Sequence, residues 1–213
     1  MPLEYLNSEY EREFRDLWNL SSNASAYDYL EEVLNRTTTS NGVFGLKIHW
    51  HQLSNLLLRL FPARTTCESI NELLYLFPDV HYVFLSRRDK VRQAVSYARA
   101  LQTNIWWRID GVCDPQERCV EPCYDPEQIA TLLERLQLYE ASWESFFSQM
   151  GLTPLRLIYE DFVSHEAVES ALDFLGNSTR IGEIPAPRLR RQADEISEHW
   201  SLMFRRSMGL GRS

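Results

Sequence analysis

No stretch of about eighteen apolar residues occurs in these 213 residues, and runs such as Leu56-Leu57-Leu58 and Val83-Phe84-Leu85 meet charge within a few positions. A membrane-spanning helix is excluded. Cysteine is scarce, and Cys67, Cys113, Cys119 and Cys123 are too few and too clustered to staple a secreted scaffold of this length. Their spacing matches no common zinc ribbon; a metal site with His49 or His51 as a fourth ligand is the lesser reading, and a loop insertion with no metal and at most one incidental disulfide is expected. Positive charge is in deficit: 22 Lys+Arg against 30 Asp+Glu give a net charge of −8 and a pI near 5.2. Such a chain lacks the overall field that gathers nucleic acid. The first twenty residues have neither the basic-then-apolar order of a secretory leader nor the acid-poor make-up of a transit peptide, so a cytoplasmic location is expected. Sequons at Asn23, Asn35 and Asn177 matter only in a secretory compartment.

What is present is the composition of one ordinary globular domain over residues 1–213, with 44% hydrophobic and 12% aromatic residues and no repeat. Val43 to His49, Val80 to Ser86 and Leu155 to Tyr159 are rich in β-branched and aromatic residues and read as buried strands. Helical periodicity is clearest from Asp125 to Gln149, where Ile129, Leu132, Leu133, Leu136, Tyr139, Trp143, Phe146 and Phe147 make one apolar stripe. Asp125 can cap this helix, Pro126 suits its first position, Gln128 can close a capping box and Gly151 can stop it. Weaker helical patterns cover 27–35, 52–60, 68–77, 89–103, 161–175 and 192–205. Alternating strands and helices predict an α/β layer fold with a mostly parallel sheet, whose ligands sit beyond the carboxyl ends of the strands.

One such strand end carries unusual charge. Val80 to Leu85 runs into Ser86-Arg87-Arg88-Asp89, and a helix begins at once. Free N–H groups and the positive end of a helix dipole favour an anion there, and guanidinium forks match phosphate oxygens. Ser96 follows about 10 Å along that helix, within reach of a phosphate shared with Arg88. The bland alternative is a solvated basic turn capped by Asp89.

The run Leu85-Ser86-Arg87-Arg88-Asp89-Lys90-Val91-Arg92-Gln93-Ala94-Val95-Ser96 resembles the 3′-phosphate segment of sulfotransferases that use 3′-phosphoadenosine 5′-phosphosulfate (PAPS), specifically the bacterial trehalose 2-sulfotransferase-like family. Further matches, in family order, are Pro2 to Leu6, Gly45-Leu46-Lys47 leading into Trp50, Gln102 to Trp107, Tyr124-Asp125, and Arg191-Gln192-Ala193-Asp194 with Trp200. The resemblance implies a P-loop-NTPase-like three-layer fold and sulfuryl transfer from PAPS to a hydroxyl of a carbohydrate or glycolipid, without a metal. It implies that Arg88 and Ser96 hold the 3′-phosphate with Arg87 beside them, that Arg191 and Gln192 close over the nucleotide, and that Glu4 is the general base. A homodimer would suit the family.

The resemblance also implies a first strand and a glycine-containing loop for the 5′-phosphosulfate, ahead of the segment matched by Pro2 to Leu6. This chain has no glycine before Gly42, so an N-terminally incomplete domain lacking its first strand is expected. A truncated product, a relative that binds without catalysing, and a rearranged sheet that refills the gap are three ways to account for it. In function, a non-catalytic nucleotide- or glycan-binding remnant therefore stands beside the transferase. An interaction module built on the 125–149 helix is a third class, although its aromatic stripe reads more readily as core.

Overall fold

The computed structural model describes residues 4–106, 121–161, 165–176 and 194–209. They fall in two compact units, Met1–Val80 and His81–Ser213.

The described part of the first unit is helical: α1 (Ser8–Leu17), α2 (Ala26–Thr37), α3 (Trp50–Leu60) and α4 (Thr66–Leu76). Local chemistry marks their ends. Ser25 and Asp28 form a capping box at the start of α2, and Thr65 and Glu68 form another at α4. The last two helices of this unit stop at Phe61 and Phe77, each followed by a proline whose ring disfavours helical backbone before it. Leu53, Leu56, Leu57 and Leu60 bury one face of α3, and Tyr29, Leu30 and Val33 bury one face of α2.

α1 was not foreseen, because charged residues break its apolar pattern and its one buried side chain among the described residues is a carboxylate. It presents buried Glu11, which accepts two hydrogen bonds from the Arg59 guanidinium at 2.5 and 2.7 Å and one from Arg15 Nε at 2.8 Å. An ion cluster therefore shares the packing of α1 with the Phe14 ring, which lies against Tyr5 and Trp18. Val43 to His49, expected as a strand, forms no ladder among the described residues. An extended segment needs an edge to pair with, and no described residue of this unit is in a strand.

The second unit holds β1 (Val83–Ser86), α5 (Lys90–Thr103), α6 (Pro126–Gln149), β2 (Leu155–Ile158), α7 (His165–Phe174) and α8 (Glu195–Ser207). β1 and β2 pair in parallel, Val83 opposite Leu155 and Ser86 opposite Ile158, so the α/β class and the parallel pairing stand. Two strands are seen among the described residues. Val91, Ala94, Val95 and Ala98 of α5 meet Ile129 and Leu132 of α6 and Trp200 and Phe204 of α8 in one core, the alanines giving the close approach that the bulky rings fill.

The long helix matches its signposts except one. Asp125 accepts from the Gln128 N–H at 2.9 Å, and Gly151 stands at φ 63° beyond the last turn, in the left-handed region that stops a helix. The Gln128 side chain, expected to complete a capping box, instead accepts from Gln102 Nε2 at 2.8 Å. Its stripe is core: Phe146 and Phe147 are buried, with Tyr82 edge-on to both and Phe84 edge-on to Phe147. Cys67 and Cys123 are free and exposed, while Cys113 and Cys119 lie outside the described residues. Among the described residues no helix is long and apolar enough to cross a membrane.

Candidate functional site

The turn between β1 and α5 has the strand, basic turn and helix order that its sequence predicts. Arg88 donates from Nη2 to Asp161 Oδ2 at 2.7 Å, with the two side chains about 60% and 61% exposed. The Arg87 guanidinium lies over the Tyr159 ring, 3.9 Å from its centroid. Ser96 is half-buried on α5. Seven residues at about 100° each bring it back to within about 20° of the side that Asp89 caps.

The backbone donors of this turn are not open, contrary to expectation. Glu160, just after β2, accepts from the Arg88 N–H at 2.9 Å through Oε2 and from the Asp89 N–H at 3.3 Å through Oε1. Asp89 Oδ1 takes the Arg92 N–H at 3.0 Å and Arg205 Nη2 at 2.7 Å. Two of the chain's own carboxylates therefore take the Arg88, Asp89 and Arg92 amides, and an incoming anion meets the Arg87 and Arg88 side chains with fewer backbone donors beside them. Burial would raise the Glu160 carboxyl, but the Arg88, Glu160 and Asp89 amides and the nearby Arg87 charge outweigh it and hold the group below its ordinary range.

α8 is locked to α5 by the same kind of contact. Asp194, its N-cap, accepts from the Ser197 N–H at 2.9 Å and from Arg99 Nη1 at 2.5 Å. Burial pushes this carboxyl up, yet these partners prevail and hold it down at about 2. Arg191 and Gln192, three and two residues before it, lie outside the described residues.

In the first unit, Glu4 is far from a solvated terminal charge. The Tyr29 hydroxyl donates to the Tyr5 carbonyl at 2.6 Å and Leu6 is buried, which fixes the chain beside Glu4. Its Oε1 accepts from Lys47 Nζ at 2.6 Å and has His49 Nε2 at 3.4 Å. Its Oε2 accepts from Gln52 Nε2 at 2.8 Å and Asn7 Nδ2 at 3.2 Å. Two partners on each oxygen fill a carboxylate's lone-pair sites. The hydrogen bond with His49 is the largest influence, Lys47 and Gln52 add to it, and together they overcome burial and hold the carboxyl well below the usual carboxylate range.

The two sides of this carboxylate differ. Gln52 is buried and is itself fixed by the His49 N–H, donated to its Oε1 at 2.8 Å. Lys47 and His49 are about half exposed. Their side chains can swing away. Lys47 belonged to the sequence match, whereas His49 and Gln52 were missed as partners of Glu4. The only signal was their spacing at the mouth of α3, with Glu4 more than forty residues away in sequence.

The Stf0 sulphotransferase family model matches residues 8–207. Trehalose 2-sulfotransferase of Mycobacterium tuberculosis (strain ATCC 35801 / TMC 107 / Erdman) is 32% identical over 189 residues, covering 85% of this chain and 68% of that protein. Trehalose 2-sulfotransferase of Mycolicibacterium smegmatis (strain ATCC 700084 / mc(2)155) is 31% identical over 185 residues, covering 84% and 66%. The chain thus spans about two thirds of the length of these relatives.

Proposed function

This chain belongs to the Stf0 sulphotransferase family, and on that premise we propose that it transfers a sulfuryl group from PAPS to a hydroxyl of a carbohydrate. Trehalose, which gives both relatives their name, is the first acceptor to test, and a trehalose-bearing glycolipid the second. One sulfur–oxygen bond forms to the acceptor oxygen as the bond to the 5′-phosphate oxygen breaks. The acceptor proton passes to Glu4, and adenosine 3′,5′-bisphosphate leaves.

Arg88 and Ser96 hold the 3′-phosphate in this scheme, Arg87 adds positive charge beside it, and Arg191 and Gln192 close over the nucleotide. The supporting observation is the exposed Arg88 fork at the carboxyl end of β1, followed by Ser96 on the capped side of α5. Glu4 accepts the proton through Oε1. A carboxylate with every lone pair in use is a poor base, so one donor must leave, and the half-exposed Lys47 and His49 are the ones free to do so. Losing Lys47 also raises the basicity of Glu4 as the acceptor hydroxyl takes its place. Gln52 and Asn7 keep Oε2 fixed meanwhile. Residues 1–213 act here as one metal-free cytoplasmic sulfotransferase domain of the three-layer P-loop-like type, with a homodimer as the expected assembly and no nucleic-acid partner.

Transfer of labelled sulfate from PAPS to trehalose by the 213-residue chain is the direct assay. Ser96→Ala is expected to weaken adenosine 3′,5′-bisphosphate binding by about 10- to 150-fold, the loss of one hydrogen bond to a charged group at about 1.5–3 kcal/mol. Binding without transfer would favour a non-catalytic nucleotide or glycan binder. Absence of binding would refute both.

A further inference from the structure

Glu160 and Asp161 are neighbouring carboxylates just past β2, and both reach the Arg87-Arg88-Asp89 turn, by different means. Glu160 spreads its two oxygens over two successive backbone amides, at 2.9 and 3.3 Å, and is partly buried. Its donors are main chain, so it fixes the path of the turn and not the direction of any side chain. Asp161 meets the Arg88 guanidinium at 2.7 Å through one oxygen, Oδ2, and both groups are mostly in water. An ion pair of that kind is weak and readily exchanged.

We infer that these adjacent carboxylates act on the nucleotide in opposite senses: Glu160 positions the turn that offers Arg88 to the phosphate, while Asp161 is an internal placeholder that occupies Arg88 until the phosphate arrives. The inference rests on the assignment of Arg88 to the donor's 3′-phosphate. Its physical basis is competition for one fork. A phosphate with up to two negative charges and three free oxygens outbids one carboxylate for a guanidinium, but it must first displace that carboxylate and then lie near it. The Arg88 and Asp89 amides cannot help the phosphate, since Glu160 already holds them. The position of Arg88 therefore depends on Glu160, and its availability on Asp161.

Isothermal titration of adenosine 3′,5′-bisphosphate into the full chain, its Glu160→Gln variant and its Asp161→Asn variant tests this, with thermal melting to establish that each is folded. Asp161→Asn is expected to tighten binding about two- to fivefold, the range of an exposed ion pair relieved. Glu160→Gln is expected to weaken it about tenfold. Variants that shift in the same direction, or Asp161→Asn binding as the parent does, would overturn the inference and leave the donor assignment standing. No binding by the parent would overturn the donor assignment, and the inference with it. Should Glu160→Gln fail to fold, the sign of the Asp161→Asn shift decides alone, because Asp161 meets Arg88 at an exposed position.

Discussion

Arg88→Ala isolates the group on which nucleotide recognition depends. In the free protein its guanidinium has one exposed partner, Asp161, a contact worth roughly 0.2–1 kcal/mol. A charge-assisted bond to a phosphate contributes about 1.5–3 kcal/mol. Exchanging the first for the second nets about 1–2 kcal/mol, so the variant should bind adenosine 3′,5′-bisphosphate about 5- to 30-fold more weakly at 1.4 kcal/mol per tenfold. Arg88→Lys keeps the charge and loses the fork, and should fall between variant and parent. Calorimetry at two salt concentrations reads both quantities, since loss of a phosphate contact also flattens the salt dependence. A double-mutant cycle sharpens the test: Asp161→Asn should change affinity in the parent and have almost no effect once Arg88 is alanine. Equal affinity of Arg88→Ala and parent, or an undiminished Asp161→Asn effect in its absence, would refute the reasoning.

Two predictions concern the scaffold. Glu11→Gln leaves two guanidiniums facing an uncharged group in a largely buried site, and should destabilise the first unit by about 2–3 kcal/mol, below the range for a fully buried pair because Arg59 is partly exposed. Burial raises the Glu11 carboxyl, but Arg59 and Arg15 outweigh it and depress the group below its unfolded value. Its contribution is therefore complete above the ordinary glutamate pKa, about 4.3, and is lost as pH falls below it. Urea melts of parent and variant should draw together as pH falls below about 4.3, and a gap that stays constant would refute this account. Phe147→Ala removes a buried ring in contact with Tyr82, Phe84, Trp143 and Phe146, and should lower stability by about 3–5 kcal/mol in thermal melts. A loss under 1 kcal/mol would mean that the aromatic stripe of α6 is not core.

Legibility in the sequence followed the range of the interactions. α6 could be read from its own residues because its cap, its Pro126, its stripe and Gly151 all act within a few positions. β1, the basic turn and α5 were legible for the same reason. α1 was not, because the partner that buries its Glu11 is Arg59, 48 residues away, and the contact is ionic. The openness of the Arg88 and Asp89 amides was misjudged likewise: Glu160 holds them from 72 and 71 residues downstream, and no local pattern announces that. Val43 to His49 shows the reverse failure. Its composition suits a strand, but a ladder is a property of two segments, and one segment's side chains cannot supply the other.

Exposure separates the ion pairs that hold the protein from those that a substrate can take over. Asp89 with Arg205, at 20% and 15% exposed, and Arg99 with Asp194, at 16% and 33%, join α5 to α8 in places where water cannot easily replace a lost partner. Arg88 with Asp161 is the same chemistry at about 60% exposure, and there water and phosphate compete on nearly equal terms. Glu4 shows the same contrast on one carboxylate, with the buried neutral donor Gln52 on Oε2 and the half-exposed Lys47 and His49 on Oε1. In the first unit as in the second, the group assigned to chemistry is anchored on one side by partners that stay and covered on the other by partners that can leave. Substitutions on the anchored side should therefore lower stability together with activity, and substitutions on the exchangeable side should change ligand affinity or rate with the melting temperature nearly unmoved.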